Sequence, residues 1–343
     1  MGDVESVRLR VAEIVRETED ACSVVLEGPD FDYSPGQFLT LELPLDSGPV
    51  GRCYSLCSSP HLDEPMRIAV KRVTDGLASN WISDHLAVGD SLACLPPSGM
   101  FTPKSLNDDL LLFAGGSGIT PVLSIMKSAL TAGSGNVVLV YANQHENAVI
   151  FASQLRALAA QYPDRLHVLH WLESVQGIPS RAQLKALAAP FTSHTAFVCG
   201  PSPFMESVSH SLRELGVPPV RIHIERFQSL AENPFELPTS AASSVVDEAE
   251  QGPAAVLTVE LDGDKHEFQW PPHQKLLDLL LEQGLKAPFS CRQGACSACA
   301  CILDEGEVKM LNNEILEQDD LDEGFVLACQ SLPISEKVAI RYS

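Results

Sequence analysis

Cys291-Arg292-Gln293-Gly294-Ala295-Cys296-Ser297-Ala298-Cys299 sets three cysteines in the pattern C-x4-C-x2-C, and Cys329 follows after 29 intervening residues. That is the spacing with which four thiolates hold a plant-type [2Fe–2S] cluster. The loop between the first two ligands must wrap an inorganic core while its backbone N–H groups point at sulfur. Gly294 and Ala295 suit that task, because small residues let backbone approach closely. Four unrelated buried thiols are the plainer reading, since free cysteine is often a small core residue. A four-point match with small residues between the ligands is far more specific than a lone C-x-x-C. Cys291, Cys296, Cys299 and Cys329 are therefore the expected metal ligands, and a chain that carries them moves electrons one at a time. Cys301 is expected to pack in the strand that follows, because the four spaced positions already complete a cluster.

The segments around these cysteines read as one small domain. Residues 256–261 and 266–270 alternate as a hairpin turned at Asp262-Gly263, and 276–283 read as a helix. Together with the cysteine loop they fit a β-grasp ferredoxin over 255–343, which holds 7 basic and 16 acidic residues, a net charge of −9. Upstream, 229–254 is rich in Pro, Ser, Ala and Glu with few large apolar residues, a linker composition.

Further toward the N-terminus, apolar strands at 110–114, 137–141, 166–171, 196–199 and 220–227 alternate with helical segments, the signature of a doubly wound α/β domain over 107–228. Val122, Ile125, Met126, Ala129 and Leu130 make one helical face, with Thr120 expected as N-cap and Pro121 at the first helical position. Residues 1–106 hold six short strands, at 7–17, 22–27, 37–43, 51–58, 66–73 and 91–95, punctuated by Pro and Gly. They argue for an antiparallel β-barrel, interrupted by one helix at 78–86.

The chain has 343 residues, more than one core of usual size, which agrees with several domains. Lys plus Arg number 23 against 45 Asp plus Glu, a net charge of −22. Such a surface repels phosphate backbones, so no nucleic-acid partner is expected; it suits a protein with a basic docking face, and an ordinary solvated acidic surface explains the charge at least as well. Ten cysteines without a secretory signal suit a reducing compartment. No long apolar run is present, so a soluble cytoplasmic protein is expected. Met1-Gly2 with Ser6 meets the loose myristoylation pattern by chance. The ten histidines show no metal-ligand spacing such as H-E-x-x-H.

Arg52-Cys53-Tyr54-Ser55-Leu56 lies on a strand, with Arg52 and Tyr54 on one face and Ser55 on the other. A ring to stack, a fixed cation and a hydroxyl are what a flavin needs, although for the motif taken alone a buried core tyrosine is the safer reading. Lys71 to Asn80 (KRVTDGLASN) is a loop entering a helix, and a helix N-terminus is a ready phosphate site. Gly115-Gly116-Ser117-Gly118-Ile119-Thr120-Pro121 sits between a strand and a helix. It does not spell G-x-G-x-x-G, yet its glycines and the helix dipole serve a pyrophosphate in the same way. Cys199-Gly200-Pro201, followed by Phe204-Met205, comes at the end of a later strand, where open sheets bind ligands.

These four pieces, in this order, resemble the ferredoxin–NADP⁺ reductase superfamily with a C-terminal plant-type ferredoxin appended, over essentially the whole chain. Within it, residues 52–60 (RCYSLCSSP), 78–81 (ASNW), 170–177 (HWLESVQG), 287–292 (APFSCR) and 316–331 (LEQDDLDEGFVLACQS) are similar to the reductases that serve actinobacterial 3-ketosteroid 9α-hydroxylases. The resemblance implies an NADH-dependent oxidoreductase with FAD and a [2Fe–2S] cluster, acting as a monomer that passes electrons to a Rieske-type terminal oxygenase. A reductase for a diiron oxygenase, of the phenylacetyl-CoA epoxidase or acyl desaturase type, has the same module order, as do FMN-dependent phthalate-type reductases. Carried over by motif, Arg52, Tyr54 and Ser55 would hold the flavin ring and phosphate, and Val70, Lys71, Gly76, Ala78 and Ser79 would continue the cradle. Gly116, Ser117, Gly118 and Thr120 would face the nicotinamide and its pyrophosphate. Cys199 would lie near the hydride path with Gly200, Pro201 and Met205 beside it, and Phe227 would cover the other flavin face. Tyr54, Ser55, Thr120, Cys199 and Phe227 are thus the implied residues at the reacting rings. Gln144 stands where similar proteins often carry arginine, and the missing cation disfavours the 2′-phosphate of NADPH, so NADH is the expected donor.

Overall fold

In the N-terminal segment, alternation of apolar and polar side chains resolves into β1 (Val7–Arg16), β2 (Ala21–Glu27), β3 (Phe38–Leu45), β4 (Gly48–Ser55), β5 (Met66–Lys71), α1 (Leu77–His85) and β6 (Ser91–Ser98). The computed structural model describes residues 6–230, 233–235, 254–261, 263–316 and 318–342. The six strands pair antiparallel in the order β4-β3-β6-β1-β2-β5. The two end strands then meet: Leu56 bridges to Ile68, and the Cys57 N–H donates to the Arg67 carbonyl at 2.8 Å. The sheet therefore closes into the expected barrel, which leaves no open edge. Leu9, Val11, Val24, Leu26, Leu39, Leu41 and Leu43 fill its interior from every second position.

The next stretch runs β7 (Leu110–Gly115), α2 (Ile119–Ala132), β8 (Val137–Asn143), α3 (Ala152–Gln161), β9 (Leu166–Leu172), α4 (Glu173–Gln176), α5 (Arg181–Ala188), β10 (Thr195–Cys199), α6 (Ser202–Glu214) and β11 (Ile222–Glu225). The strands are all parallel in the order β11-β10-β7-β8-β9, so the chain order reverses between β7 and β10. Leu110, Leu112 and Ala114 pack on the α2 side, while Leu111 and Phe113 pack with α5 and α6 on the other. A strand buried on both faces reads as a continuous apolar run, which is how these were legible.

Two expectations are corrected here. The last strand begins at Ile222 rather than 220, because Pro219–Arg221 forms a 3-10 turn after Pro218. Thr120 does not cap α2. The turn Gly116–Gly118 runs directly into the helix, Gly118 holds the N-cap position, and the Thr120 hydroxyl donates to the Ser117 carbonyl at 3.1 Å. Pro121 consequently sits inside the first turn, where its missing N–H has no helical partner to lose.

The barrel and the α/β stretch form one compact unit, Ser6–Ser229; a second begins at Leu230. The expected linker at 229–254 lies largely outside the described residues, as does Asp262 of the predicted turn. The second unit holds β12 (Ala255–Leu261), β13 (Asp264–Trp270), α7 (Leu276–Glu282), β14 (Ala300–Glu305), β15 (Val308–Met310), α8 (Gln318–Asp322), β16 (Phe325–Leu327), β17 (Ser331–Pro333) and β18 (Lys337–Arg341). The sheet order is β13-β12-β18-β14-β16, with β12 and β18 parallel, as a β-grasp requires. Helix α7 buries Leu276, Leu277, Leu279 and Leu280, and Trp270 is wholly enclosed, with its indole N–H donating to the Gln274 carbonyl at 2.7 Å. Among the described residues no helix is long and apolar enough to cross a membrane.

Candidate functional site

The cysteine loop is shaped before any metal is considered. Arg292 and Ser297 adopt left-handed φ of 57° and 44°, as does Gly294 at 82°. For the two non-glycine residues such a conformation costs on the order of 1–3 kcal/mol each. At Gly294 a Cβ would stand 2.7 Å from the Asn312 carbonyl oxygen, so this position is closed to side chains. The contorted loop turns N–H groups onto sulfur: those of Gln293 and Ala295 donate to Cys291 Sγ at 3.3 Å each, and that of Cys291 donates to Cys296 Sγ at 3.3 Å. Across the loop, the Cys329 N–H donates to Cys299 Sγ at 3.5 Å, and Gln330 Nε2 to Cys329 Sγ at 3.6 Å. Asn312, whose amide donates to the Gln293 carbonyl at 2.7 Å, and Glu314, whose N–H donates to the Gly294 carbonyl at 3.0 Å, brace the outside.

The four sulfurs converge. Cys291 lies within hydrogen-bond reach of Cys296 and Cys329, and Cys329 within reach of Cys299. Hydrogen bonds from Cys296, Cys329 and the backbone N–H groups lower the Cys291 thiol from its ordinary range. Four thiolates this close repel one another unless a multivalent cation sits between them, and an all-sulfur donor set selects iron–sulfur chemistry or zinc. Cys291, Cys296, Cys299 and Cys329 would hold a [2Fe–2S] cluster, for which their spacing and all-sulfur chemistry are suited. Cys301 stands outside this set, buried in β14 with its thiol donating to the Val326 carbonyl at 3.8 Å, and burial pushes that thiol up.

In the first unit, the glycine turn and Cys199-Gly200-Pro201 meet at the point where the strand order reverses, which is where open α/β sheets bind ligands. A Cβ on Gly118 would stand 2.2 Å from the Cys199 carbonyl oxygen, and one on Gly115 2.8 Å from Pro201. The glycines thus let the start of α2 press directly against the end of β10. Neither the turn nor α2 has a side-chain cap at its N-terminus, so N–H groups remain for an anion. Lys71 reaches this turn from the barrel, with its ammonium 4.0 Å from where a Gly116 Cβ would be. Tyr141 donates from below to the Gly116 carbonyl at 3.0 Å. Cys199 is itself fully buried, and burial keeps its thiol neutral. Met205 packs in the core on the opposite face of the sheet, with Val198, and Gly200 and Pro201 lie more open.

On the barrel side, Arg52 and Tyr54 follow one another on β4, with Arg52 donating to the Gly51 carbonyl at 2.7 Å. Tyr54 is partly buried, and desolvation raises its phenol, so it stays neutral. Ser55, on the other face, is buried. Gly76 begins α1 without a side-chain cap, while Ser79 turns its hydroxyl back to accept from the Val73 N–H at 3.1 Å. That bond shapes the loop before α1, with Val70 and Ala78 buried beneath it. Phe227, beyond β11, is half exposed.

Two polar residues near the switch point had no assigned role in the sequence. Glu225 pairs in register with Cys199, and burial among the strand ends pushes its carboxyl up to about 8, although the residue keeps some exposure. Asn143, at the end of β8, is 4% exposed, and its side chain lies beside the Tyr141 phenol. The only sequence signal for either was position at the carboxyl end of a strand. Gln144 follows, exposed, with its carbonyl accepting from the Ser174 N–H at 2.8 Å.

Three family models match in chain order: an oxidoreductase FAD-binding domain at residues 7–102, an oxidoreductase NAD-binding domain at 112–210 and a 2Fe-2S iron-sulfur cluster binding domain at 259–333. The chain is 50% identical to a 3-ketosteroid-9-alpha-monooxygenase, ferredoxin reductase component, from Rhodococcus rhodochrous, across 98% of this chain and 97% of the relative. It is 32% identical to one of the subunits of 1,2-phenylacetyl-CoA epoxidase from Escherichia coli, across 97% of both. Its fold is similar to that of phthalate dioxygenase reductase, with a TM-score of 0.56, 23% identity and 98% of each chain covered. The residues around the switch point, the uncapped helix starts and the four converging sulfurs fit NAD, FAD and a 2Fe-2S cluster, and the chain belongs to the family of ferredoxin reductase components of monooxygenase systems.

Proposed function

We propose that the chain takes electrons from NADH through FAD and its own [2Fe–2S] cluster to a Rieske-type terminal oxygenase that hydroxylates 3-ketosteroids at the 9α position. The observation that carries this reading is the end-to-end 50% identity to a ferredoxin reductase component of 3-ketosteroid-9-alpha-monooxygenase. The lower identity to the epoxidase component, 32%, makes a diiron oxygenase the second reading.

Bound FAD converts the hydride chemistry of a nicotinamide into single electrons that a cluster can carry, and the protein supplies binding, orientation and exclusion of oxygen. Arg52 gives a fixed positive charge to flavin phosphate, Tyr54 a flat face and Ser55 a hydroxyl at the ring. The N-terminus of α1, with Gly76, Ala78 and Ser79, receives the pyrophosphate, above Val70. The turn Gly116-Ser117-Gly118 and Thr120 receive the dinucleotide, with Lys71 as a nearby cation. Cys199, with Gly200, Pro201 and Met205 beside it, would lie near the hydride path, and Phe227 would cover the other flavin face. Gln144 offers no cation for a 2′-phosphate, which favours NADH over NADPH. Cys291, Cys296, Cys299 and Cys329 hold the cluster, and plant-type clusters sit near about −400 mV, a suitable donor potential for an oxygenase. We place this activity in the cytoplasm, in a monomer.

The test is product formed per NADH consumed, with the purified chain supplied to a steroid 9α-hydroxylating Rieske oxygenase and, in parallel, to a diiron acyl oxygenase. Tight coupling with the first alone supports the proposal. Coupling with the second alone moves the chain to diiron systems, and uncoupled oxidation with both removes the steroid assignment.

A further inference from the structure

Helix α2 is enclosed on every side, yet one stripe of it is polar. Thr120, Ser124, Lys127 and Ser128 fall at i, i+4, i+7 and i+8, which is one face, and their exposures are 2, 0, 2 and 0%. This face does not meet water. It meets the barrel, through the segment that directly follows the flavin strand β4.

Each contact is directional. Ser124 Oγ donates to the Ser58 carbonyl at 2.6 Å, Ser59 and Ser128 share a hydrogen bond between hydroxyls at 2.7 Å, and Lys127 Nζ meets Asp63 Oδ2 at 2.5 Å. Asp63 is held for this role, since the same carboxylate oxygen accepts from the Ser59 N–H at 2.6 Å. Ser58 is held in turn: its hydroxyl accepts from the Arg67 N–H at 3.0 Å and from Tyr33 at 2.9 Å.

We infer that Lys127 and Asp63, with Ser59 and Ser128, form a positioning clasp that fixes the flavin strand against the nicotinamide helix and so sets the geometry of hydride transfer. The inference rests on the cofactor assignment proposed above. Ser58 lies three residues after Ser55, and Thr120 lies one helical turn before Ser124, so the clasp joins the two halves of the reacting site through short, stiff connections. Lys127 lies seven helical steps beyond Thr120, about 10 Å at 1.5 Å per residue. Lys127 is buried and Asp63 partly exposed, with side-chain exposures of 2% and 28%, and an ion pair that takes a charge out of water is a poor source of stability compared with apolar side chains of similar volume. What it adds over them is direction: an apolar contact would tolerate sliding between the two lobes, whereas this arrangement fits one register. Reaction rate is steeply sensitive to such sliding, because a misplacement of about 1 Å can cost about a hundred-fold.

The test uses the full-length holoenzyme with the single variants Lys127→Met and Asp63→Asn, the double variant, and Lys127→Arg, which keeps a charge for Asp63. Anaerobic stopped-flow gives the limiting rate of flavin reduction and the NADH dissociation constant; FAD content and Tm are measured beside them. Lys127→Met and Asp63→Asn are each expected to lose at least about ten-fold in limiting rate, with NADH affinity changed less than about two-fold. Lys127→Arg should retain much of the parental rate. The double variant decides the matter, because it removes the lone buried charge that Asp63→Asn leaves on Lys127: its Tm should rise above that of Asp63→Asn while its rate stays low. A double variant with parental rate overturns the inference, as does a limiting rate that simply follows Tm across the set. Should the ionic variants fail to fold, Ser59→Ala with Ser128→Ala removes neutral contacts from the same clasp, and a parental limiting rate there also overturns it. Failure of the parent itself to be reduced by NADH would instead reject the cofactor assignment.

Discussion

Cys199 and Glu225 stand opposite one another on adjacent parallel strands, at the carboxyl edge where the glycine turn meets the sheet. Burial keeps each in its neutral form, and a charge on Glu225 would raise the Cys199 thiol further. The site wall is therefore largely uncharged at neutral pH although it contains two acids.

That neutrality has a pH signature. The Glu225 carboxyl is raised from 4.5 to about 8 in the folded chain. Below about pH 4.5 it is protonated whether the chain is folded or not, and it adds no pH dependence. Between 4.5 and 8 the folded state keeps a proton that the unfolded state has lost, so stability falls as pH rises through that window and levels off above 8. Glu225→Gln removes the titration. Thermal melts of parent and variant from pH 5 to 9 should show a Tm difference that grows in favour of the variant up to pH 8. Parallel Tm curves would contradict the assignment.

Gly118→Ala should separate nucleotide chemistry from cluster chemistry. Its Cβ would fall 2.2 Å from the backbone oxygen of Cys199, a neighbour that cannot rotate away, so the start of α2 must retreat from β10. Overpacking of this kind costs about 1–3 kcal/mol, and a retreat near 1 Å costs about a hundred-fold in hydride transfer. The cluster, bound in the other unit, should keep its visible spectrum. Unchanged flavin reduction by NADH in a folded Gly118→Ala chain would show that this close approach is not needed.

The two chemistries were legible in the sequence to different degrees. The cluster ligands could be read because spacing along one loop is itself the geometry. The inner parallel strands β7, β8 and β10 could be read because burial on both faces makes unbroken apolar runs such as Leu110 to Ala114. Short elements could not: β15, β16 and β17 have three residues each, too few to display a period. Thr120 was misplaced as a cap because a 3-10 turn ahead of α2 leaves no mark that separates it from the helix. Glu225 gains its character from neighbours on other strands, which no local pattern records. Lys127 did leave a signal, a single cation within an otherwise apolar and hydroxyl-bearing helix, but its partner Asp63 is 64 residues away.

Substitutions among the ten cysteines should divide sharply. Cys296→Ser removes one of the four sulfurs and should abolish the cluster's absorption while NADH still reduces the flavin. Cys301→Ala removes a thiol whose hydrogen goes to the Val326 carbonyl, so the cluster spectrum should remain. The vacated volume should lower stability by roughly 1–2 kcal/mol. Cytochrome c reduction, at matched flavin content, should be lost in the first variant and kept in the second. Loss of the cluster spectrum in Cys301→Ala would make Cys301 a ligand and displace one of the four.

The choice between nicotinamide dinucleotides should turn on Gln144. Its backbone carbonyl is engaged with the Ser174 N–H, but its side chain is exposed at the end of β8, so a replacement need not disturb the sheet. Glu146 and Glu173 are exposed nearby, and acidic neighbours repel a 2′-phosphate. Gln144→Arg supplies a planar cation suited to bidentate phosphate contact. A hydrogen bond to a charged group is worth about 1.5–3 kcal/mol, and each 1.4 kcal/mol is ten-fold, so kcat/KM for NADPH should rise by about ten-fold or more. The NADH value should move much less, since a ribose hydroxyl carries no charge for the guanidinium to meet, and the gain with NADPH should shrink at high ionic strength. If the NADPH to NADH ratio does not change, the strand end after β8 is not where the 2′ position lies, and the dinucleotide must cross the sheet edge along another path.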